Sequence, residues 1–251
     1  MDKWFENEQF WQDLYPYMFD EAKFTTAIAQ SNQLLSLLNI KTGKILDLCC
    51  GPGRFAVPLA KQGFCVTGVD RTNFLLEKAK HHAAQNSVNI EFVCEDMNSF
   101  VRENSFKAAI NMFTSFGYFD QEEENLQVLL NIYQSLQPQG KLLIDTLGKE
   151  LLARYFQPTK STKYADGTIL VERLEIINNW SQVKNEWLLI KDNQVQTYPF
   201  LLTVYAGQEL IALLQKAGFT NIRLYGDLMG SKYDINASRL IAVAEKASSS
   251  G

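Results

Sequence analysis

The sequence has no strong excess of positive charge and no long, uninterrupted hydrophobic run. Its formal net charge is −4 over 251 residues, which argues against a broad surface for the phosphates of a nucleic acid. No stretch approaches the length of a membrane-spanning helix. The start of the chain lacks a basic stretch followed by an apolar run, so no signal peptide is expected. We therefore expect a cytoplasmic protein with no nucleic-acid and no membrane partner.

Cysteine and histidine, which often bind transition metals, are scarce. The chain has four cysteines and two histidines. Cys49 and Cys50 are adjacent, and neither belongs to a C-x-x-C pair. Because each cysteine lies in or beside an apolar run typical of a buried strand, we expect four reduced core cysteines. The sequence thus predicts no metal site.

Strand and helix patterns alternate regularly from about residue 44 onward. Short apolar runs that end in loops are followed by segments of helical periodicity. Such alternation predicts parallel strands joined by crossover helices, an α/β fold with a doubly wound sheet. The predicted strands are 44–49, 64–69, 90–94, 108–113 and 141–146, and the helices between them are 54–62, 74–85 and 122–136.

The pattern changes in the second half of the chain. Three strand patterns follow one another at 167–177, 182–191 and 194–205, with polar turns between them. Since these turns leave no room for crossover helices, the block is predicted to be an antiparallel meander. A helix over 207–217 and two strands, 222–225 and 239–244, complete the chain.

This pattern divides the chain into a main domain and two additions. Dense aromatic residues near the N-terminus need a partner surface, either the core of the protein or a bound ligand. The segment is predicted to form two helices, which in the second case would act as a lid. The meander is expected to cover the site or to form the contact of a homodimer. The predicted units are a lid (1–38), a main domain (39–148 and 206–246), a β insertion (149–205) and a disordered tail (247–251).

A glycine-rich loop follows the first predicted strand. In open parallel sheets, ligands bind beyond the carboxyl ends of the strands. Gly51 and Gly53 have no Cβ, so a ligand can approach the backbone closely. The segment from Gly51 to Ala56 matches G-x-G-x-x-A, which fits NAD or FAD as well as other adenosine ligands. This motif alone is also compatible with a plain strand-to-helix turn.

Acidic residues at the ends of three predicted strands narrow the choice of ligand. Asp47 precedes the glycines, where a carboxylate can bind an amino group, which S-adenosylmethionine has and NAD lacks. Asp70 ends the second strand, a position that suits ribose hydroxyls. Asp96 and Met97 follow the third strand, where an acid can bind the adenine amine while the apolar side chain packs on the ring.

These motifs, in this order, resemble those of the class I S-adenosylmethionine-dependent methyltransferases. The resemblance covers about 42–146 and implies a Rossmann-like, mostly parallel seven-stranded sheet that ends in an antiparallel hairpin. One residue departs from the family pattern, because Cys49 stands where the family usually has glycine. On this resemblance, the residues expected to bind S-adenosylmethionine are Asp47, Cys49, Gly51, Gly53, Arg54, Asp70, Arg71, Asp96, Met97, Asn111 and Phe113.

The implied activity is transfer of a methyl group to nitrogen, oxygen or carbon of a small molecule. Two alternatives remain at this point: an NAD-dependent oxidoreductase, which the glycine pattern also allows, and a non-catalytic S-adenosylmethionine-binding module. No residue is a clear general base, so substrate positioning is expected to provide most of the rate acceleration. The residues expected to contact the substrate are Tyr15, Tyr17, Ser115, Tyr118, Asp145, Asp227 and Tyr233.

Overall fold

The computed structural model describes residues 3–248. Within this range a short 3₁₀ turn, Trp4–Glu6, precedes the first α-helix. The helices are α1 (Glu8–Met18), α2 (Glu21–Leu38), α3 (Ala56–Lys61), α4 (Asn73–Gln85), α5 (Glu122–Ser135), α6 (Lys149–Tyr155) and α7 (Gly207–Lys216). The strands are β1 (Lys44–Leu48), β2 (Cys65–Asp70), β3 (Glu91–Cys94), β4 (Phe106–Asn111), β5 (Leu136–Thr146), β6 (Thr159–Lys163), β7 (Ile169–Ile177), β8 (Gln182–Lys191), β9 (Gln194–Thr203), β10 (Phe219–Tyr225) and β11 (Leu240–Lys246).

The main sheet contains seven strands in the order β10-β11-β5-β4-β1-β2-β3. Strands β1 to β5 pair in parallel, whereas β11 pairs antiparallel with both β5 and β10. The predicted Rossmann-like sheet with a C-terminal antiparallel hairpin is therefore confirmed. Strand order reverses at β1, which lies between β2 and β4, and a ligand crevice is expected at the carboxyl ends of the strands there.

Both faces of this sheet are covered by apolar side chains. Successive side chains of a strand point to opposite faces. Ile45 of β1 accordingly packs in one buried cluster with Val66 and Ile110, whereas its neighbour Leu46 packs in a second cluster with Val69. Burial on both sides explains why these strands are nearly continuous apolar runs in the sequence.

The two N-terminal helices pack on opposite faces of the main sheet. Trp11 and Leu14 of α1 belong to the cluster that contains Leu46, whereas Leu34 and Leu38 of α2 belong to the cluster that contains Ile45. Side-chain caps fix where the helices begin: Asn7 accepts hydrogen bonds at the start of α1 and Asp20 at the start of α2. The short connection between the two helices lies near the edge where β1 ends, since Phe19 lines the same cavity as the loop after β1.

The β insertion forms a separate antiparallel sheet with the order β6-β7-β8-β9. The meander was predicted correctly, but its strand count was wrong, since the structure adds β6. The β6 segment, Thr-Lys-Ser-Thr-Lys, is polar and almost fully exposed. An edge strand of this kind carries no alternation of apolar and polar residues, so the sequence contains no periodic signal for it.

Two further expectations concern the cysteines and the C-terminal tail. The predicted burial of all four cysteines was wrong: Cys65 and Cys94 are exposed because they lie at strand ends. The predicted disordered tail lies largely outside the described residues, and 247–248 have no regular structure. Among residues 3–248, no helix combines the length and apolarity that crossing a membrane would require.

Candidate functional site

A cavity of about 530 Å³ opens at the carboxyl ends of β1 to β4. The strand ends form its floor. α1 and the insertion sheet contribute the opposite wall, with Trp11 and Tyr17 from the helix and Tyr164 and Trp187 from the insertion. A volume of this size suits a small-molecule ligand. The cavity therefore lies where the strand order predicts a binding site.

The loop after β1 adopts a left-handed backbone at three positions. The φ angles are 62° at Cys49, 51° at Gly51 and 76° at Gly53. A Cβ at Gly53 would lie 3.3 Å from the Cβ of Ala79 in α4, so glycine also permits close helix packing there. Cys49 adopts a conformation that costs an L-residue roughly 1–2 kcal/mol. A glycine would adopt this backbone without strain, whereas the chain accommodates cysteine here at some cost.

Asp47 is the most deeply buried acid of the cavity floor, with 2% of its surface exposed. Its Oδ2 atom has no hydrogen-bond partner within the described chain. Burial, followed by the charge of Asp70, raises the pKa of Asp47 to about 7. A buried carboxylate oxygen without a partner is unfavourable unless a donor or a positive charge reaches it. This site therefore favours a ligand that brings an amino group to Asp47.

Asp70 orders the same loop from the end of β2. Its Oδ2 accepts a hydrogen bond from the backbone N–H of Gly51, and its Oδ1 accepts one from Thr72, each at 2.9 Å. Burial raises the pKa of Asp70, and these two hydrogen bonds oppose the increase. Each carboxylate oxygen accepts more than one hydrogen bond. Asp70 can therefore hold the loop and still accept hydrogen bonds from ligand hydroxyls.

Asp96 is tied to the N-terminal segment through Arg71. One guanidinium nitrogen of Arg71 lies 2.8 Å from Asp96 and 2.7 Å from Glu6. The other oxygen of Asp96 accepts the backbone N–H of Asn98 at 2.8 Å. Met97 is buried beside it, and its sulfur lies 3.4 Å from the sulfur of Cys49. An acid and an apolar side chain thus lie together at the end of β3.

The aromatic ring of Phe113, which lies close to two arginines, forms another part of the floor. The guanidinium carbon of Arg54 lies 3.9 Å from the ring centroid of Phe113, and that of Arg239 lies 5.1 Å from it. Burial lowers the pKa of Arg54 to about 10. Arg239 also forms an ion pair with the buried Asp145 at 2.6 Å. Arg54 and Phe113 line the cavity directly.

Two predicted cofactor residues support the floor from behind. Asn111 is fully buried and donates to the Leu48 carbonyl at 3.1 Å, and its Oδ1 atom has no partner in the described structure. Gly53 allows α4 to pack closely against the loop after β1. The other predicted cofactor residues line the cavity: Asp47, Cys49, Gly51, Arg54, Asp70, Arg71, Asp96, Met97 and Phe113.

The predicted substrate residues fall into two groups. Tyr17, Ser115 and Tyr118 line the cavity, whereas Tyr15, Asp145, Asp227 and Tyr233 are not among its lining residues. Tyr15 packs against Phe19 and Phe74, and Asp145 pairs with Arg239. Tyr233 donates to Glu150 at 2.8 Å, and Asp227 accepts hydrogen bonds within its own loop.

Several lining residues were not predicted from the sequence. Those from the N-terminal segment are mostly apolar or aromatic, as any core residue would be, so composition could not assign them to a site. Glu172 had a detectable signal, because it is an acid among apolar residues at alternate positions of a predicted strand. The unpredicted lining residues on this side are Phe5, Trp11, Met18, Phe19, Lys23, Lys160, Thr162, Tyr164, Leu170, Glu172 and Trp187.

Comparisons with known proteins address the same region of the chain. Residues 45–140 match a family model described as a methyltransferase domain. A putative methyltransferase of Geobacillus sp. (strain WCH70), GWCH70_2453, is 28% identical over 208 residues, which cover 81% of this chain and 84% of that protein. The ubiquinone biosynthesis O-methyltransferase of Coxiella burnetii is 28% identical over 116 residues, 46% of this chain and 48% of that protein. The chain thus spans about half the length of that relative.

Solved structures share the whole architecture. The CcbJ methyltransferase from Streptomyces caelestis has a TM-score of 0.75 at 17% identity, with 87% of this chain and 89% of that one covered. An S-adenosylmethionine-dependent methyltransferase from Clostridium acetobutylicum has a TM-score of 0.73 at 14% identity, with 95% and 97% covered. CalS10, an amino pentose methyltransferase from Micromonospora echinaspora solved with S-adenosylmethionine bound, has a TM-score of 0.69 at 18% identity, with 93% and 97% covered. At such identities the likeness establishes the fold.

Proposed function

Because this chain carries a methyltransferase domain with the class I S-adenosylmethionine-dependent fold, as its motifs predicted, we propose that it transfers a methyl group to a small-molecule acceptor. The observation that carries this proposal is the buried Asp47 carboxylate, whose Oδ2 atom has no partner among the described residues. S-adenosylmethionine has an amino group that would complete this site, whereas a nicotinamide dinucleotide has none to offer there.

The residues around Asp47 fit the rest of S-adenosylmethionine. Asp47 would bind the amino group, and the positive charge of Arg54 favours the carboxylate of the same methionine part. Asp70 would accept hydrogen bonds from the ribose hydroxyls. Asp96 would accept one from the adenine amine, while Met97 packs on the ring. When bound, the cofactor supplies an electrophilic methyl group on a positively charged sulfur.

The opposite wall of the cavity favours a small, enclosed acceptor. Aromatic side chains from α1 and from the insertion sheet face the floor across a cavity of limited volume. Aromatic faces attract positive charge and exclude water, which protects a reactive methyl donor from hydrolysis. In this proposal the N-terminal helices and the insertion sheet complete the binding site instead of acting as independent modules.

Catalysis in this proposal depends on positioning. Holding two reactants in line accounts for about 7–11 kcal/mol of barrier reduction in well-oriented reactions. Ser115 and Tyr118 follow β4 and line the cavity, where they can orient the acceptor. Burial raises the pKa of the Tyr118 hydroxyl, so this group remains protonated and acts as a hydrogen-bond donor instead of a base at neutral pH.

Calorimetric titration with S-adenosylhomocysteine and with NAD tests the proposal. We expect the wild-type chain to bind S-adenosylhomocysteine and Asp47→Asn to bind it at least about tenfold more weakly, because a charge-assisted hydrogen bond is lost. Asp227→Asn is the matched control, since this acid is not among the cavity-lining residues. Binding of NAD but not of S-adenosylhomocysteine would refute the proposal. Cofactor binding without methyl transfer to any acceptor of a broad panel would identify a non-catalytic module.

A further inference from the structure

Three side chains on adjacent strands of the insertion sheet form a row that faces the cavity. Lys160 of β6 is paired in register with Glu172 of β7, and Glu172 is paired with Trp187 of β8. All three residues line the cavity. Side chains directly opposite one another in a sheet lie on the same face, about 4.5–5.5 Å apart at Cβ. The row therefore presents one acid, one base and one indole to a bound ligand.

Glu172 interrupts an apolar face. Leu170, Leu174 and Ile176 occupy the alternate positions of β7 and are buried or half-buried, whereas Glu175 on the other face is exposed. An acid at an inward position costs free energy unless it gains a partner. Such breaks in an otherwise consistent pattern are expected at functional sites. The position of Glu172 thus indicates a role toward the cavity.

The ion pair between Glu172 and Lys160 does not account for this position. The Lys160 amino group lies 3.5 Å from the Glu172 carboxylate, and the lysine side chain is 59% exposed, compared with 21% for Glu172. A loose pair with one exposed partner contributes little to stability. The carboxylate is therefore free to exchange this lysine for a positively charged group that enters the cavity.

Aromatic side chains line the cavity together with Glu172. The rings of Tyr17 and Tyr164 lie 4.5 Å apart, and burial together with the Glu172 charge raises the pKa of the Tyr164 hydroxyl. Trp187, the register partner of Glu172, lines the cavity, and so does Trp11 of α1. Aromatic faces beside a carboxylate attract cations.

We propose that Glu172 binds the protonated amino group of the methyl acceptor, and hence that the acceptor is an amine. This inference rests on the proposed methyltransferase function. The acceptor ammonium gives one proton to the Glu172 carboxylate, and the freed lone pair forms the new N–C bond. The electron pair of the broken S–C bond stays on sulfur, which becomes the neutral thioether, and Glu172 releases its proton to solvent.

The other acids of the cavity are poorly placed for this task. Asp47, Asp70, Glu95 and Asp96 all lie in or directly after strands of the main sheet, on the cofactor side. Glu172 comes from the wall opposite them. An amine held there faces the cofactor side instead of competing for its binding groups.

Three probe molecules of similar size test the proposal: benzylamine, benzyl alcohol and benzoate, titrated by NMR in the presence of S-adenosylhomocysteine. We expect the wild-type chain to bind benzylamine about tenfold or more tightly than benzyl alcohol, because a charge-assisted contact is made. Glu172→Gln should abolish this preference and leave benzyl alcohol binding unchanged. Glu175→Gln is the matched control, because it also removes an acid from β7. The Glu175 side chain is 65% exposed and pairs with Lys184 at 3.7 Å.

The outcomes test the role of Glu172 separately from the proposed methyltransferase function. An equal affinity of the wild type for benzylamine and benzyl alcohol, or an unchanged preference in Glu172→Gln, would overturn the inference. A preference for benzoate that is lost in Lys160→Met would show that the row binds an anion instead, and would also overturn it. Titration of each variant with S-adenosylhomocysteine distinguishes failure of the proposed function from failure of the role of Glu172. If the wild type does not bind S-adenosylhomocysteine, the proposed function is contradicted. If it binds normally but shows no amine preference, only the role of Glu172 is contradicted. Melting temperatures show that the variants remain folded.

Discussion

Gly117 and Thr203 are in direct contact through their backbones. The N–H of Thr203 donates to the Gly117 carbonyl at 2.8 Å, and a Cβ added at Gly117 would overlap the carbonyl oxygen of Thr203. This contact joins the loop after β4 to the end of β9. Because the loop carries Ser115 and Tyr118, the insertion sheet and the cavity floor are mechanically linked at this point.

Gly117→Ala should therefore destabilise the chain through a clash as well as through backbone strain. Gly117 has φ +100°, and Gly167 has φ +86° with no atom within 4 Å of the point that a Cβ would occupy. Gly167→Ala should cost about 1 kcal/mol through strain alone, and Gly117→Ala about 3 kcal/mol or more, because overpacking adds to it. Urea unfolding of both variants measures the difference. Equal losses of stability would contradict the proposed clash.

Protonation of Asp47 should make the stability of the ligand-free chain depend on pH. Its pKa is raised to about 7 in the folded state, whereas an unfolded Asp has a pKa of about 3.9. Between these two pH values the folded state binds more protons than the unfolded state. The free energy of unfolding therefore decreases as pH rises from about 4 to 7. The total decrease in the free energy of unfolding over this interval is roughly 4 kcal/mol at most. The stability of Asp47→Asn relative to wild type should increase over this interval, as thermal unfolding at several pH values would show; a constant difference would contradict the shifted pKa.

Ligand affinity should show the opposite pH dependence. An amino group of the ligand stabilises the charged form of Asp47, so S-adenosylhomocysteine should bind the wild type more tightly as pH rises through about 7. The affinity of Asp47→Asn should be flat over the same interval. Calorimetry at about pH 6 and about pH 8, roughly one unit on either side of the titration midpoint, compares the two variants. A parallel pH dependence in both would assign the effect to another group.

The bridge from Glu6 through Arg71 to Asp96 should contribute modestly to cofactor affinity. Glu6→Gln removes one partner of a half-exposed ion pair, which contributes at most about 1 kcal/mol, or roughly two- to fivefold in affinity. Because such pairs are screened by salt, the difference from wild type should shrink at high ionic strength. Glu8→Gln is the control, as this exposed acid begins α1. A loss of affinity that is equal in both variants, or insensitive to salt, would argue against the bridge.

The main sheet and the position of the cavity could be predicted because local patterns and topology agree there. Buried parallel strands appear as apolar runs, and strand order directs the loops after them to one edge. The acids Asp47, Asp70 and Asp96 were detectable since each lies in or after an apolar run where a core residue would be expected. That all three line one cavity followed from the topology of the sheet and not from any single motif.

The acceptor side could not be predicted in the same way, because it depends on contacts between distant segments. Tyr15 and Tyr17 are two residues apart on α1, yet only Tyr17 lines the cavity. Helical geometry places residues two apart on different faces, but the sequence does not reveal which face the insertion sheet covers. Asp227 and Tyr233 were assigned by strand topology alone, and hydrogen bonds to Ser231 and Glu150 engage them outside the cavity.

The left-handed conformation of Cys49 makes the loop after β1 sensitive to the shape of this side chain. Cys49→Ala and Cys49→Val both remove the sulfur that lies 3.4 Å from the sulfur of Met97, but only valine adds a branched Cβ at φ 62°. Branched residues are strongly disfavoured in this region of backbone space. We expect Cys49→Val to be less stable than Cys49→Ala by about 2 kcal/mol and to bind S-adenosylhomocysteine more weakly, because the loop must shift. Chemical unfolding and calorimetry of the pair test both effects, and equal stability of the two variants would show that the loop relaxes without strain.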